Sequence, residues 1–219
     1  MYVTAYLSKE IKPGKINYSP EHLLEMVQEM KLTHLPIFDG LDFVGNIAEE
    51  DLVELTLGYE NQDWIKNYTE SFYLTEDHTL LDAIQMMYMN HTNVLPVISA
   101  RNKYIGCVSQ QTILEAMAKF PFVSELAVSM IVSIPSKDLS MSIITNIIES
   151  NNGKVFGLML VDDVDDQANV FVRFSSSNLL SIGETFERYG YQVIQKFYND
   201  EKQELLQSRY AQLLKYMNT

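Results

Sequence analysis

The run from Asp162 to Asp166 is the densest group of side chains that could do chemistry, with four aspartates around Val164. Carboxylate oxygens are the ligands that Ca²⁺ and other hard divalent cations prefer. The run lacks the glycine and the terminal glutamate that an EF-hand loop carries at fixed positions. We therefore predict a solvated hairpin loop from Asp162 to Asp166 and no metal site there.

The histidines and the single cysteine form no catalytic or metal-binding pattern. His22, His34, His78 and His91 make no His-x-x-x-His or Glu-x-x-His cluster, and Cys107 alone excludes an intramolecular disulfide and a cysteine-rich zinc site. Cys107 falls in a predicted buried strand, where it is interpreted as a small core residue. No Walker, Gly-x-Ser-x-Gly or Gly-x-Gly-x-x-Gly motif is present. The sequence therefore predicts a protein that is not an enzyme.

The charge balance argues against nucleic acid as a partner. The 219 residues include 29 acidic and 16 basic ones, for a formal net charge of −13. Nucleic-acid binding relies on clustered Lys and Arg, which this composition does not favour. No apolar run approaches the ~20 residues that cross a bilayer, and Met1 to Lys12 has no signal-peptide core. We expect a cytoplasmic protein that binds neither nucleic acid nor membrane.

The first half of the chain contains an internal repeat. Leu35-Pro36-Ile37 recurs as Leu95-Pro96-Val97, and the run Gly45 to Glu54 recurs as Gly106 to Glu115. One residue is inserted in the second copy, around Arg101 to Lys103. Each copy predicts a helix, a short buried strand, a turn, a second strand and a second helix.

The turns and prolines refine this pattern. The predicted strands are Leu35–Phe38, Phe43–Ile47, Leu95–Ser99 and Tyr104–Val108. Asp39-Gly40 and Ala100 to Asn102 form the turns between them. Because proline has no N–H to donate, Pro36 and Pro96 are predicted at the start of a strand or at an exposed edge.

This repeat resembles a tandem pair of cystathionine-β-synthase-type (CBS) domains, whose copies read h-x-x-L-P-V-h, a turn, and then G-h-h-[ST]-x-x-D-[LI]. The resemblance covers roughly Met1 to Lys119. It implies a first CBS unit at 1–57, a connection at 58–71 and a second CBS unit at 72–120. It further implies a disc-like module, often dimeric, with clefts that can hold adenosine compounds.

In that family the aspartate of the second motif binds the ribose hydroxyls, and the Ser or Thr three residues earlier contacts phosphate or ribose. A carboxylate suits this role because it accepts two hydroxyl donors. The first copy has Asp51 with Ala48 in the partner position, and the second copy has Ser109 with Thr112, so each keeps half of the pair. Alternatively, Asp51 caps a helix beginning at Leu52. Both roles can hold at once.

The residues ahead of each Leu-Pro occupy positions that contact the base in the family. The ligand-binding residues implied by the resemblance are Thr33, His34, Ile47, Asp51, Asn93, Val94, Ser109 and Thr112. Glu49 and Glu50 precede Asp51, where nucleotide-binding members often carry a basic residue, and they would repel a phosphate. The candidate ligands are AMP, ATP, adenosine and S-adenosylmethionine, and the first cleft is expected to favour those with little negative charge.

The pattern changes after Glu125. The predicted elements are a strand at 127–134, a helix with an apolar stripe from Met141 to Ile148, strands Lys154–Val161 and Asn169–Ser175, a helix Leu179–Tyr189 and a strand Tyr191–Phe197. This order predicts a ferredoxin-like βαββαβ sandwich, with two helices on one face of an antiparallel sheet.

That order, with the run from Glu184 to Val193, resembles an ACT domain over 125–198, a regulatory module that often binds amino acids between paired copies. Asp138 and Leu139 fit the end of the ligand-binding turn, but Ser136 and Lys137 stand where the family has a glycine. Dimerisation is therefore expected more than amino-acid binding. A CBS pair followed by an ACT domain is also the layout of acetoin-utilisation accessory proteins.

Residues 199–219 are predicted as a C-terminal helix with one apolar stripe, formed by Leu206, Tyr210, Leu213 and Met217. We expect this stripe either to pack on its own domain or to contact a partner subunit.

Taken together, the sequence predicts an α/β (α+β) regulatory homodimer without catalytic activity. Its CBS pair senses an adenosine-type ligand, its ACT-like unit dimerises, and the ligand acts by shifting the population of conformations. The alternative is an interaction scaffold with vestigial clefts. In either case the regulated partner protein is not identified by the sequence.

Overall fold

The computed structural model describes residues 1–8, 10–57 and 67–197. The chain divides into two compact units, Met1–Lys119 and Phe120–Thr219. The predicted C-terminal helix and the residues 58–66 of the predicted connection lie outside the described residues.

The first repeat copy forms a four-stranded sheet in the order β1-β2-β3-β4. A 3₁₀ helix, Val3–Tyr6, precedes it. Its elements are β1 (Gly14–Lys15), α1 (Pro20–Met30), β2 (His34–Asp39), β3 (Asp42–Ala48), α2 (Glu49–Thr56) and β4 (Thr69–Glu70). The predicted helix, strand, turn, strand and helix of this copy are confirmed.

The second copy repeats the arrangement in a three-stranded sheet in the order β5-β6-β7. Its elements are β5 (Leu74–Thr75), α3 (Leu80–Met89), β6 (Val94–Ile98), β7 (Tyr104–Ser109) and α4 (Gln110–Ala118). Both predicted turns reverse through a residue in the left-handed region, Gly40 with φ 60° and Asn102 with φ 61°. Glycine and asparagine tolerate this conformation best, which explains why the chain reverses there.

The placement of the two prolines differs from the prediction. Pro36 and Pro96 are buried inside β2 and β6, not at a strand start or an exposed edge. Pro36 pairs with Asn46 on one side, whereas the parallel strand β1 on the other side begins pairing one residue later, at Ile37. Pro96 has the same relation to β5 and β7. Each proline therefore has a neighbouring strand on one side only, where a missing N–H is tolerated.

One apolar core contains residues of both copies. It comprises Leu23, Val27, Leu32, Leu35, Ile37, Ile47, Leu52, Leu55, Val94 and Cys107. Cys107 is buried, as predicted, and burial raises the pKa of its thiol to about 12. The thiol therefore stays protonated and serves as a packing residue.

The second unit is a four-stranded antiparallel sheet in the order β11-β8-β10-β9. Its elements are α5 (Pro121–Ser124), β8 (Val128–Pro135), a 3₁₀ turn (Ser136–Asp138), α6 (Met141–Ser150), β9 (Lys154–Val164), β10 (Gln167–Ser175), α7 (Leu179–Arg188) and β11 (Gln192–Phe197). The predicted βαββαβ order is confirmed. Ile144 and Ile148 of α6 and Phe186 of α7 join one core with Met130 of β8 and Val172 of β10.

The acidic run differs from its prediction as a loop. Asp162 and Asp163 belong to β9, which continues to Val164, and only Asp165 and Asp166 form the turn. Both turn residues have positive φ, 54° and 60°, as a two-residue hairpin turn requires. The strand extends this far because the ladder with β10 runs to its end. Among the described residues, no three His, Cys, Asp or Glu side chains are placed to hold a metal ion.

Candidate functional site

The first candidate cleft is built around the beginning of α2. This helix begins at Glu49, and its N-cap is Ala48, whose methyl side chain cannot accept a hydrogen bond from the first turn. Asp51 is thus the third helical residue and not the N-cap of a helix beginning at Leu52, so the predicted cap is wrong. The helix begins earlier because the N–H of Glu49 donates to the carbonyl of Thr33, a bond across the sheet (2.9 Å).

The charged groups nearest to Asp51 are mainly acidic, and only His34 opposes their effect. Asp51 is partly buried and makes no hydrogen bond with any residue that the structure describes. Burial raises the pKa of this carboxyl, and the nearby Glu50, Glu54 and Glu70 raise it further, while His34 lowers it. The carboxylate therefore has no hydrogen-bond donor among the described residues, and its partial burial disfavours the ionised form.

His34 is the ring that faces these carboxylates. It begins β2, is buried, and places Nδ1 3.1 Å from Oγ1 of Thr33. Its ring also packs edge-to-face on Phe72, with the ring centres 5.5 Å apart. Burial lowers the pKa of His34, although Glu70, Asp51 and Glu50 raise it in part. The ring is therefore mainly neutral at pH 7 and gives the acidic group little compensating charge.

Asn46, which the sequence analysis did not single out, binds the backbone of the segment from Glu70 to Phe72 beside His34 and Asp51. Its Nδ2 donates to the carbonyls of Phe72 (2.7 Å) and Glu70 (3.4 Å). Its Oδ1 is buried without a hydrogen-bond partner among the described residues. A polar residue inside an apolar strand, where the other copy has Cys107, is the signal that could have identified it. We call His34, Asn46, Asp51, Glu70 and Phe72 the first cleft.

A cavity of about 500 Å³ adjoins the first cleft at Phe72. It lies between the segment Ser71 to Tyr73 and one face of α3. The α3 side is lined by His78, Asp82, Gln85, Met86, Met89 and Asn90. A space of this volume is within the range of small-molecule sites.

The second candidate cleft is a cavity of about 610 Å³ at the beginning of α4. It is lined by Ser8, Glu10, Ile11, Glu29, Met30, Lys31, Leu32, Asn93, Ser109, Gln110, Gln111 and Leu114. Ser109 caps α4: its Oγ accepts from the N–H of Thr112 (3.1 Å), and Oγ1 of Thr112 accepts from the N–H of Ser109 (3.0 Å). The two predicted ligand residues are thus joined in a capping box.

Thr33 and Asn93, predicted beside the base, bind each other. The N–H of Thr33 donates to Oδ1 of Asn93 (3.0 Å), and the N–H of Asn93 donates to Oγ1 of Thr33 (3.1 Å). Both residues also line an apolar cavity of about 590 Å³ between α3 and α4. The side chains of Ile47 and Val94 are fully buried in the core, so only their backbone could face a ligand.

The predicted ACT turn lies in the second unit and is closed by hydrogen bonds. The N–H of Leu139 donates to the carbonyl of Ser136 (3.3 Å), and the hydroxyl of Tyr191 donates to the carbonyl of Asp138 (3.2 Å). Leu139 packs against the core of the unit, and α6 begins at Met141. Part of the polar backbone of this turn is therefore already used within the protein.

The comparison with protein families identifies one part of the chain. Residues 65–119 match the family model of the CBS domain. The matched stretch contains β5, α3, β6, β7 and α4, which form the second repeat copy. No curated protein matches this chain, and no helix among the described residues is long and apolar enough to span a membrane.

Solved structures of CBS-pair proteins are similar to slightly more than half of the chain. A CBS domain pair/ACT domain protein of Thermotoga maritima is 20% identical, with a TM-score of 0.46, over 54% of this chain and 98% of that one. CBSX2 of Arabidopsis thaliana is 22% identical, with a TM-score of 0.43, over 54% and 94%. A CBS domain pair solved with 5′-methylthioadenosine and S-adenosyl-L-methionine is 21% identical, with a TM-score of 0.44, over 53% and 99%.

Proposed function

We propose that this is a non-catalytic, cytoplasmic regulatory protein whose first unit is a CBS pair that binds an adenosine-type ligand. The CBS match of residues 65–119 and the repeat of the same elements in the first copy support the proposal. Similar solved proteins carry adenosine compounds: CBSX2 with AMP, a CBS pair with 5′-methylthioadenosine and S-adenosyl-L-methionine, and a transporter CBS domain with ATP.

The observation that carries the proposal is the unpartnered carboxylate of Asp51. It forms no cap and no hydrogen bond with the described residues, and its pKa is raised by burial and by like charges. Carboxyl groups whose pKa is perturbed in this way cluster at functional sites. Two vicinal ribose hydroxyls would supply the donors that the carboxylate lacks.

The charge of the first cleft favours particular members of this ligand class. Glu50, Asp51 and Glu70 surround a mainly neutral His34. A polyphosphate at this position would be repelled, whereas adenosine is uncharged and S-adenosylmethionine carries a sulfonium cation. We therefore place adenosine and S-adenosylmethionine ahead of AMP, and AMP ahead of ATP, in the first cleft.

A ligand at His34 would act on the contact between the two copies. His34 touches Oγ1 of Thr33, and Thr33 is bound to Asn93 of the second copy. Ligand binding would therefore favour one arrangement of the copies over another, which is regulation by population shift. The protein that responds to this shift is a partner not yet identified.

The second unit is proposed to be an ACT-like module that joins two chains into a homodimer. Its turn at Asp138 and Leu139 is already hydrogen-bonded within the unit, which favours dimerisation over capture of an amino acid. The layout of a CBS pair followed by such a module is the basis for the resemblance to the acetoin-utilisation accessory proteins.

Calorimetric titration of the full chain with adenosine, S-adenosylmethionine, AMP and ATP tests the ligand proposal. We expect adenosine and S-adenosylmethionine to bind more tightly than AMP, AMP to bind more tightly than ATP, and Asp51→Ala to lose binding. Glu76→Ala is the matched control, because it removes an exposed acidic residue of the same unit that is not among the charges acting on Asp51 or His34. Absence of binding to all four compounds, or equal binding by Asp51→Ala and the parent protein, would refute the proposal.

A scaffold without a ligand is the second candidate. The specific observation in its favour is that the predicted ligand residues hydrogen-bond to each other in two pairs. Ser109 is bonded to Thr112, and Thr33 is bonded to Asn93. The scaffold predicts a dimer that forms without ligand and thermal unfolding that none of the four compounds shifts.

A further inference from the structure

A cavity beside the first cleft is lined by polar groups that make no hydrogen bond with the described residues. It has a volume of about 500 Å³ and lies between α3 and the segment Ser71 to Tyr73. We call it the α3 cavity. Among the described residues that line it, Asp82 is the only carboxylate, and none is a lysine or an arginine. A fixed negative charge without a neighbouring cation favours a ligand that carries a positive group.

Asp82 is held in place by the beginning of α3. Its Oδ2 accepts hydrogen bonds from the N–H and the hydroxyl of Thr79 (both 2.7 Å). These bonds lower the pKa of the carboxyl, so it is ionised at neutral pH. Its Oδ1 has no hydrogen-bond partner among the described residues. The carboxylate is therefore fixed through one oxygen and offers the other to a donor, and an ammonium group would bind it with a charge-assisted hydrogen bond.

His78 lines the same cavity and supplies a donor. Its Nδ1 accepts a hydrogen bond from the N–H of Thr75 (2.9 Å), so the proton of the neutral ring is on Nε2. Nε2 has no partner among the described residues, and neither have the hydroxyl of Ser71 and the side-chain amide of Gln85, which also line the cavity. The lining therefore offers donors to a carboxylate as well as an acceptor to an ammonium group.

The α3 cavity also has an apolar wall. Met86 and Met89 of α3 line it, and Phe72 belongs both to the cavity and to the first cleft. Met89 is 69% exposed. Because a methionine side chain is unbranched and flexible, it can fold onto an apolar chain that is bound beside it. Apolar walls with a few polar groups that fix the orientation are typical of small-molecule sites.

We propose that the α3 cavity binds an α-amino-acid group on an apolar chain, with the ammonium on Oδ1 of Asp82, the carboxylate on Nε2–H of His78 and the chain against the two methionines. Two kinds of molecule carry this group. One is a free apolar amino acid such as methionine. The other is S-adenosylmethionine, whose amino-acid end would enter the cavity past Phe72 while its ribose lies on Asp51. Only the second case rests on the proposed function.

Calorimetric titration of the full chain with L-methionine and with S-adenosylmethionine tests the proposal and separates the two sources. Binding of L-methionine identifies the free amino acid, and binding of S-adenosylmethionine alone identifies its amino-acid end. The analogue that lacks the ammonium, 3-(methylthio)propionate, or the one that lacks the whole amino-acid group, 5′-methylthioadenosine, should bind about tenfold more weakly or worse than its parent compound. Analogues that bind as tightly as the parent compounds, or no binding of either parent compound, would overturn the proposal.

Two variants test the position of the ammonium group. Asp82→Asn removes the charged acceptor, and Gln85→Lys adds a cation to the lining, so each should weaken binding of the amino-acid group by about tenfold or more. Glu76→Gln and Gln28→Lys are the matched controls, because they change the charge by the same amount at exposed residues of the same unit outside the cavity. Gln85 is exposed and takes no part in the capping box, so Gln85→Lys tests the cavity even where Asp82→Asn unfolds the protein. Equal losses in variants and controls would refute the site.

The outcomes separate this inference from the proposed function. Adenosine binding that depends on Asp51, together with no effect of Asp82→Asn and Gln85→Lys on S-adenosylmethionine, retains the first cleft and refutes the α3 cavity. Binding of L-methionine that depends on Asp82, without binding of any adenosine compound, retains the cavity and refutes the ligand proposal for the first cleft.

Discussion

Thr33 and Asn93 hold equivalent positions in the two repeat copies and hydrogen-bond to each other through both backbone and side-chain groups. Equivalent residues can meet in this way only close to the axis that relates the copies. Asp42 and Lys103 form a second such pair, with Nζ of Lys103 2.6 Å from Oδ1 of Asp42 and a bridge between their backbones. The contact between the copies is therefore close to two-fold symmetric.

The Thr33–Asn93 pair should contribute measurably to stability. Asn93→Ala removes the acceptor for the N–H of Thr33 and the donor to the carbonyl of Lys31. We expect the free energy of unfolding to fall by about 1–2 kcal/mol, as the loss of two hydrogen bonds predicts. Urea denaturation of Thr33→Ala, Asn93→Ala and the double variant should give a coupling energy above about 0.5 kcal/mol.

The exposed ion pair provides the control for this measurement. Asp42→Ala should lower the free energy of unfolding by less than about 1 kcal/mol, because both charges of the Asp42–Lys103 pair are about half exposed. If Asn93→Ala is no more destabilising than Asp42→Ala, then the hydrogen bonds do not secure the two copies.

The two copies should respond in opposite ways to changes at the helix caps. Ser109→Ala removes the cap of α4 and should cost about 1 kcal/mol. Ala48→Ser should stabilise α2 by about 0.5–1 kcal/mol, because Asp51 stands where a capping box needs it. Thr79 and Asp82 already form such a box at α3.

Thermal unfolding of the two cap variants tests whether Ser109→Ala lowers the melting temperature and Ala48→Ser raises it. Ala48→Ser should also weaken adenosine binding, since the new hydroxyl would donate to the Asp51 carboxylate, as Oγ1 of Thr79 does to Asp82 (2.7 Å). A destabilised Ala48→Ser protein with unchanged ligand affinity would contradict this account of Asp51.

The periodic features of the fold were predictable because they are local. The apolar stripes of α1 and α6, the turns at Gly40 and Asn102, and the buried position of Cys107 each follow from a short run of sequence. A motif alignment also places Thr33 and Asn93 correctly within their copies. It does not show that these residues meet, because that contact joins positions 60 residues apart.

Nonlocal contacts also explain the incorrect predictions. Asp is a good N-cap, which favours a helix beginning at Leu52, but the bond from Glu49 to Thr33 begins α2 earlier. Prolines favour strand edges, but short partners such as β1 leave room for Pro36 inside a sheet. Pairing with β10 extends β9 into a run of aspartates that a local reading assigns to a loop.

The first cleft should make stability depend on pH through His34. Burial lowers the pKa of His34 below its ordinary value of 6.5. Folding therefore favours the neutral ring, and this contribution to stability is present above pH 6.5 and is lost as the pH falls through the lowered pKa. Urea denaturation should show a smaller loss of stability on acidification in His34→Gln than in the parent protein.

Asp51 should have the opposite effect. Because its pKa is raised above 3.8, its contribution to stability is present below pH 3.8 and is lost as the pH rises through the raised pKa. Asp51→Asn should also lower the pKa of His34 further, since the carboxylate is one of the charges that raise it. A titration of His34 followed by NMR with a midpoint at or above 6.5 would contradict the lowered pKa, and an unchanged midpoint in Asp51→Asn would contradict the coupling to Asp51.

The charge beside Asp51 should set the preference among adenosine ligands. Glu50 occupies the position that Gln111 holds in the second copy. Glu50→Gln removes one negative charge, and Glu50→Lys reverses it, so AMP and ATP should gain affinity relative to adenosine. Coulomb attraction at a partly exposed site predicts a gain of about two- to tenfold for the reversal. The gain should shrink as salt is added.

Gln111→Lys is the matched control for this preference, because it introduces a lysine at the same motif position of the other copy. Calorimetry with adenosine, AMP and ATP should show a changed order of affinities in Glu50→Lys and the parent order in Gln111→Lys, provided that the first cleft holds the ligand. If instead Gln111→Lys changes the order and Glu50→Lys does not, the ligand lies in the second cleft. The carboxylates around His34 would then serve only to exclude anions from the first cleft.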